Sequence, residues 1–156
     1  MRDKLCARCT HNRVRMQSLR NPISQRRLPE RQIALPLRES VFVVDDDLSM
    51  RTSMDRLLRG HGFATTLFDS DSALLDHGRL HTAICIILDI NLGVRSGIEV
   101  RRSLAGNGIA APVIYVTGND SPANRAAAIA SGCIAYLIKP FAAQSLIESV
   151  ERALVS

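Results

Sequence analysis

Long hydrophobic runs are missing from this chain of 156 residues. No apolar stretch approaches the ~18 residues that a membrane-spanning helix requires, so no membrane role is expected. No short apolar segment follows the basic start either, as a secretory signal would demand. Aromatic residues supply only 4% of the chain, and tryptophan is absent. None lies among the arginines of the first forty residues, which leaves no rings on which nucleic-acid bases could stack. Cysteine is limited to four residues. Without a secretory signal they are expected as reduced thiols in a cytoplasm. Cys6 and Cys9 form a CxxC with His11 close behind, but a structural zinc site needs four ligands and no second pair follows. Cys85 and Cys133 lie in apolar runs and read as small core residues.

What is present suffices for a packed core. Hydrophobic residues make up 46% and charged residues 22%, which excludes wholesale disorder. The formal charge of +5 suggests a polyanionic partner until it is divided along the chain. Residues 1–40 carry a net +7 and residues 41–156 a net −2. The basic segment contains Pro22, Pro29 and Pro36 and no sustained helical or strand period. Residues 1–39 therefore read as an Arg-rich extension without a packed fold, ahead of a domain at 40–156. Arginines of this kind neutralise phosphates in a salt-dependent way, which makes a nucleic-acid-binding tail the competing reading. Sequence-specific readers carry a recognisable fold, and this segment shows none, so nucleic acid is not the expected partner.

From Val41 onward, short apolar runs alternate with amphipathic stretches. The runs are Val41–Val44, Phe63–Phe68, Ala83–Leu88, Val113–Val116 and Ile134–Ile138. They are rich in β-branched residues and nearly unbroken by polar ones, as strands covered on both faces are. Helical stripes lie between them: Met50, Met54, Leu57 and Leu58; Ala73 to Leu75; Ile98, Val100, Leu104 and Ala105; Ala126–Ala130; and Leu146, Ile147, Val150, Ala153 and Leu154. Gly60, Gly62, Gly78, Gly106, Gly108 and Gly132 stand where helices should stop. Five strand–helix repeats predict an α/β fold with a doubly wound, five-stranded parallel sheet. Sites in such sheets form beyond the carboxyl ends of the strands.

Polar residues sit at those ends. The first strand runs into Asp45-Asp46-Asp47, the third into Asp89, the fourth into Thr117 and the fifth into Lys139-Pro140. Taken singly, Asp47 reads as a helix N-cap, Thr117 as a turn residue and Lys139 as a solvated charge. Taken together, they describe a phosphoryl-transfer site. Carboxylates gathered in one pocket repel one another. A hard divalent cation such as Mg²⁺ removes that conflict and accepts phosphate oxygens as further ligands. One carboxylate can then act as nucleophile toward phosphorus, while an ammonium and a hydroxyl hold the transferring oxygens. Lys139 is the sole lysine of residues 41–156, which suits a site wanting a compact point charge.

The segments VFVVDDDLSMR, IILDINLGVRSGIEV, VIYVTGND and AYLIKPF resemble the signatures of the response-regulator receiver domain of bacterial two-component systems, most closely receivers of the FixJ/NarL-like type. The resemblance runs from about Ser40 to Leu154. It implies a flavodoxin-like (βα)5 fold with strand order 2-1-3-4-5. It implies that Asp89 is the phosphoacceptor, that Asp46 binds Mg²⁺ directly, that Asp45 acts through a metal-bound water, and that the backbone carbonyl of Asn91 completes the protein ligands. Thr117 would donate to a phosphoryl oxygen. Lys139 would pair with Asp89 and then with the phosphoryl group, and Pro140 would follow a cis peptide. Thr117 and Tyr136 would form the switch, Tyr136 standing at the family's switch-aromatic position. Asn91 and Asn119 would line the approach of the hydrolytic water.

The implied partners are a sensor histidine kinase or a histidine phosphotransfer protein docking near the first helix. The implied output surface is the α4–β5–α5 face (Asp120–Ser131, Ile134–Ile138 and Ala142–Leu154), used for a partner or a homodimer. The implied role is regulatory, a phosphoacceptor with self-dephosphorylating activity and not an enzyme in the usual sense. The chain offers no helix-turn-helix or second catalytic pattern after the fifth helix. The expected reading is a stand-alone receiver, with a receiver piece of a longer DNA-binding regulator as the alternative. One departure is visible: Leu92-Gly93 stands where the family often has Met-Pro, which implies a looser loop after the phosphoacceptor.

Overall fold

The structure, a computed structural model, describes residues 40–156. The Arg-rich extension expected for residues 1–39, with Cys6, Cys9 and His11, lies outside the described residues. Ten elements form five strand–helix units: β1 (Ser40–Val44), α1 (Leu48–Gly60), β2 (Thr65–Phe68), α2 (Asp71–Leu75), β3 (Ala83–Asp89), α3 (Gly97–Gly106), β4 (Val113–Thr117), α4 (Pro122–Ala130), β5 (Ala135–Ile138) and α5 (Ala143–Leu154). A 3₁₀ turn at Leu80–Thr82 leads into β3, and a two-residue ribbon pairs Asn91–Leu92 with Arg95–Ser96. The main sheet is parallel throughout, in the order β2-β1-β3-β4-β5.

Period-2 alternation divides the core between the two faces of this sheet. Phe42, Val44, Ile86, Leu88 and Tyr115 pack with Leu74 of α2, Leu104 of α3 and Ala128 of α4. Val41, Val43, Ile87, Ile114 and Val116 pack on the opposite face with Met54 and Leu58 of α1 and Leu146 and Val150 of α5. The three central strands are buried on both faces, as their unbroken apolar runs predict. The outer two are not. β2 and β5 are edge strands, and Leu67 and Ile138 are substantially exposed. Their apolar texture overstated their burial, because one flank of an edge strand has no neighbour. β2 also starts at Thr65 and not at Phe63, which packs against the α1–α5 side of the core.

The helix ends follow local chemistry. Asp47 caps α1 by accepting from the Ser49 and Met50 amides. Ser70 and Ser121 cap α2 and α4, and Ser96 with Glu99 makes a reciprocal capping box on α3. Of the glycines expected to stop helices, Gly62, Gly108 and Gly132 do so with positive φ. Gly60 and Gly106 are instead the last residues of their helices, and Gly78 adopts no left-handed conformation. Cys85 is buried and Cys133 half-buried against the core. Among the described residues, no helix is long and apolar enough to cross a membrane.

Candidate functional site

The sheet reverses winding direction between β1 and β3, and loops leave these neighbours in different directions from their carboxyl ends. Asp45 and Asp46 follow β1, and Asp89 ends β3. One carboxylate oxygen from each lies within 4.8 Å of the others. Asp45 is fully buried, Asp89 nearly so, and Asp46 is exposed.

Lys139, which follows β5, reaches across the sheet to this group. Its Nζ donates to Asp89 Oδ2 at 2.6 Å and to Asp45 Oδ2 at 2.7 Å. The expected pairing with Asp89 is thus shared with Asp45. The remaining oxygens of the two carboxylates are held alike, each by an amide two residues on. Asp45 Oδ1 accepts from the Asp47 N–H at 2.9 Å, and Asp89 Oδ1 accepts from the Asn91 N–H at 2.8 Å. Arg51 of α1 also donates to the Asp45 carbonyl oxygen. Burial pushes the Asp89 carboxyl above its ordinary pKa, and the charge of Asp45 adds to this; bonds from Lys139 and Asn91 work against it without overcoming it. Burial alone would lower Lys139, but its bonds to Asp45 and Asp89 and their charges outweigh that and raise it.

Thr117 ends β4 fully buried. Its hydroxyl donates to the Asn119 carbonyl and accepts from the Asn119 N–H, both at 3.1 Å. In this arrangement its single proton is committed to the loop before α4. Tyr136 is half-buried on β5, and its hydroxyl donates to Asp120 Oδ1 at 3.0 Å. Asp120 also pairs with Arg125 of α4 at 2.6 Å, and the Arg125 guanidinium lies 5.5 Å from the centre of the Tyr136 ring. Burial, with the bond to and charge of Asp120, raises the Tyr136 phenol. The Lys139-Pro140 peptide is cis.

The loop beyond Asp89 turns at Gly93 to form the two-residue ribbon. Gly93 takes φ +66°, which turns the chain into the ribbon, and proline could not adopt it, its ring holding φ near about −65°. Leu92 is buried. Gly97 donates its N–H to the Ile90 carbonyl at 2.9 Å, and a Cβ there would collide with the backbone oxygen of Asp89. This close approach gives a physical reason for glycine eight residues after Asp89. Asp47, by contrast, uses its Oδ1 as the α1 cap.

The donor set suits a hard divalent cation. Three carboxylates meet and two of them share one ammonium, which leaves negative charge in excess, and all the donors are oxygens. Each carboxylate has about four lone-pair positions. Two on Asp45 and two on Asp89 go to protein donors, and the rest are open to a metal.

A model of the response regulator receiver domain matches residues 41–151. The chain belongs to the response regulator receiver family. This receiver is 34% identical over 113 residues to Nodulation protein W of Bradyrhizobium diazoefficiens, covering 72% of this chain and 50% of that protein. It is 31% identical over 114 residues to the Transcriptional regulatory protein FixJ of the same organism, covering 73% and 56%. The receiver spans about half the length of the curated relatives it matches. Among solved structures, FixJ-N superposes with a TM-score of 0.69 at 29% identity, covering 75% of this chain and 94% of that one. A CheY-like receiver from Methanospirillum hungatei, at 23% identity and a TM-score of 0.67, covers 75% and 94% and shares the fold. The receiver is thus a two-component signalling module, regulatory in kind.

Several contacts of the receiver's site had no sequence signal strong enough to announce them. The bond from Lys139 to Asp45 joins residues 94 apart. The Asp120–Arg125–Tyr136 group joins a loop, a helix and a strand. The Ser96–Glu99 capping box, however, was readable as S-x-x-E.

Proposed function

We propose that this receiver accepts a phosphoryl group on Asp89 from the phosphohistidine of a sensor histidine kinase or a histidine phosphotransfer protein. The observation that carries this reading is the convergence of Asp45, Asp46 and Asp89, with Lys139 bonded to two of them. An Asp89 carboxylate oxygen attacks phosphorus in line. The bond from phosphorus to the imidazole nitrogen breaks and its electron pair stays with the ring, whose other nitrogen carries a proton, so that it leaves as neutral imidazole. Asp46, Asp89 and the Asn91 carbonyl would hold Mg²⁺, with Asp45 acting through a bound water, and the ion would neutralise the transferring oxygens.

The chain's own groups complete the step. Lys139 has three N–H donors, two of them on carboxylates in the resting protein. As an acyl phosphate, the Asp89 carboxyl loses its own charge, and the ammonium then follows the charge onto the phosphoryl oxygens. Thr117 turns its hydroxyl from the Asn119 carbonyl to the same group. That turn releases the loop leading to Asp120, which holds Tyr136, so the change reaches the α4–β5–α5 face where a partner or second receiver docks. Water attacking phosphorus later returns free carboxylate and inorganic phosphate, with Asn91 and Asn119 beside its approach. We place this cycle in the bacterial cytoplasm, where kinases draw on ATP.

The test is phosphotransfer from acetyl phosphate or a cognate kinase to wild type and Asp89→Asn. Wild type is expected to label in Mg²⁺ and the variant to stay unlabelled. Wild-type protein that fails to label in Mg²⁺ sinks the reading.

A further inference from the structure

Two side chains hold the ribbon after Asp89 down: Leu92, buried in the core, and Arg95. Its turn residues do not anchor it: Gly93 adopts the left-handed region, and Val94 is fully exposed. Arg95, in the second strand of the ribbon, does. Its Nη1 donates to Asp71 Oδ2 of α2 at 3.2 Å, and its Nη2 to Ser103 Oγ of α3 at 2.6 Å. Ser103 in turn donates to the Glu99 carbonyl, so the acceptor is itself oriented. A planar fork with separate donors suits two acceptors on two helices, which a single ammonium matches poorly. Across the ribbon, Leu92 pairs with Arg95 and Asn91 with Ser96. The Asn91 N–H donates to Asp89.

We propose that Arg95 is a positioning residue, which clasps the ribbon to α2 and α3 and so holds the Asn91 carbonyl in place beside Asp89 for a divalent cation. This rests on the functional reading above. The ion pair contributes little stability by itself, because Arg95 is 38% exposed and solvent screens it. Its effect lies in geometry. Mg²⁺ demands near-ideal octahedral coordination at about 2.0–2.1 Å, so a loose carbonyl is a poor ligand. Arg95 thus supplies the order that proline supplies elsewhere in the family, at a turn whose φ forbids proline.

The experiment compares wild type, Arg95→Met and Arg95→Lys in the unphosphorylated state. Mg²⁺ alone is titrated by calorimetry, and amide exchange across residues 91–96 is followed in metal-free protein. A urea midpoint for each verifies the fold, and Arg95→Lys, which keeps the charge, serves if Arg95→Met does not fold. Arg95→Met is expected to bind Mg²⁺ about tenfold more weakly, the scale of groups that orient metal ligands. The ribbon amides should exchange faster in both variants, with Arg95→Lys restoring little affinity. Wild-type binding with Mg²⁺ affinity in Arg95→Met within about twofold overturns the positioning role alone, whether or not exchange quickens. Wild type that binds no Mg²⁺ overturns the functional reading and this inference with it.

Discussion

Replacing Lys139 by methionine tests the electrostatics of the site directly. The ammonium is the shared donor to Asp45 and Asp89, at 2.7 and 2.6 Å, and the two carboxylates retain only 0% and 7% of their side-chain exposure. Removing one partner of a buried ion pair costs about 3–5 kcal/mol. Asp46 and Lys139 itself keep contact with water, and Asp89 can escape by taking up a proton, so we expect about 3 kcal/mol at neutral pH, the lower end of that range. For a domain of this size that corresponds to a Tm lowered by about 12 °C, at roughly 4 °C per kcal/mol.

The pH dependence gives the sharper signature. Without the ammonium, the folded-state pKa of Asp89 rises further above its unfolded value. The folded protein then holds a proton that the unfolded chain releases, so its stability increases as pH falls toward the ordinary carboxylate range. The deficit relative to wild type should therefore narrow on acidification. Mg²⁺ should also narrow it, since binding to the folded state alone adds about 2.7 kcal/mol at a hundredfold excess over Kd. The assay is urea unfolding of both proteins at two pH values, with chelator and with Mg²⁺. A deficit below about 1 kcal/mol at neutral pH, indifferent to acid and to Mg²⁺, would refute the reasoning.

Three further outcomes are expected. Gly97→Ala should lose about 1–3 kcal/mol in urea unfolding because its methyl meets the Asp89 backbone, whereas Gly106→Ala, with open space around the same atom, should lose nothing; equal effects would count against the close-approach account. Asp47→Ala should cost about 1 kcal/mol as a lost helix cap and leave labelling by acetyl phosphate unchanged; weakened labelling with intact stability would make Asp47 a site residue instead. Asp120→Asn, in a Tyr115→Phe background, should bring the Tyr136 phenol titration down toward its ordinary range by ultraviolet absorbance; an unmoved midpoint would dissolve the link between the loop before α4 and β5.

The three central strands were legible because burial on both faces leaves an unbroken apolar run, and the parallel fold followed from their alternation with helical stripes. The edge strands were misjudged for the same reason. β2 and β5 use similar residue types, and only the sheet order makes them edges. That Asp45, Asp46, Asp89, Thr117 and Lys139 gather at one edge of the sheet was legible because each ends a strand or follows one within two residues, and parallel strands bring their carboxyl ends together. What the sequence did not announce in the loop after Asp89 is the reach of Arg95, to Asp71 24 residues away and to Ser103 8 residues away.

The sequence by itself determined the period, the polarity and the punctuation of the chain. These decide which segments are strands, which are helices, and that acidic residues cluster at one edge of the sheet. Those properties depend on local stereochemistry and on where apolar residues recur. Only the tertiary structure decided which oxygen each donor reaches. It divided Lys139 between Asp45 and Asp89, turned the Thr117 hydroxyl to Asn119, tied Tyr136 to Asp120, and set Gly97 against the Asp89 backbone. Hydrogen bonds are directional and short-ranged, so their partners are settled by the ångström-scale placement of distant segments.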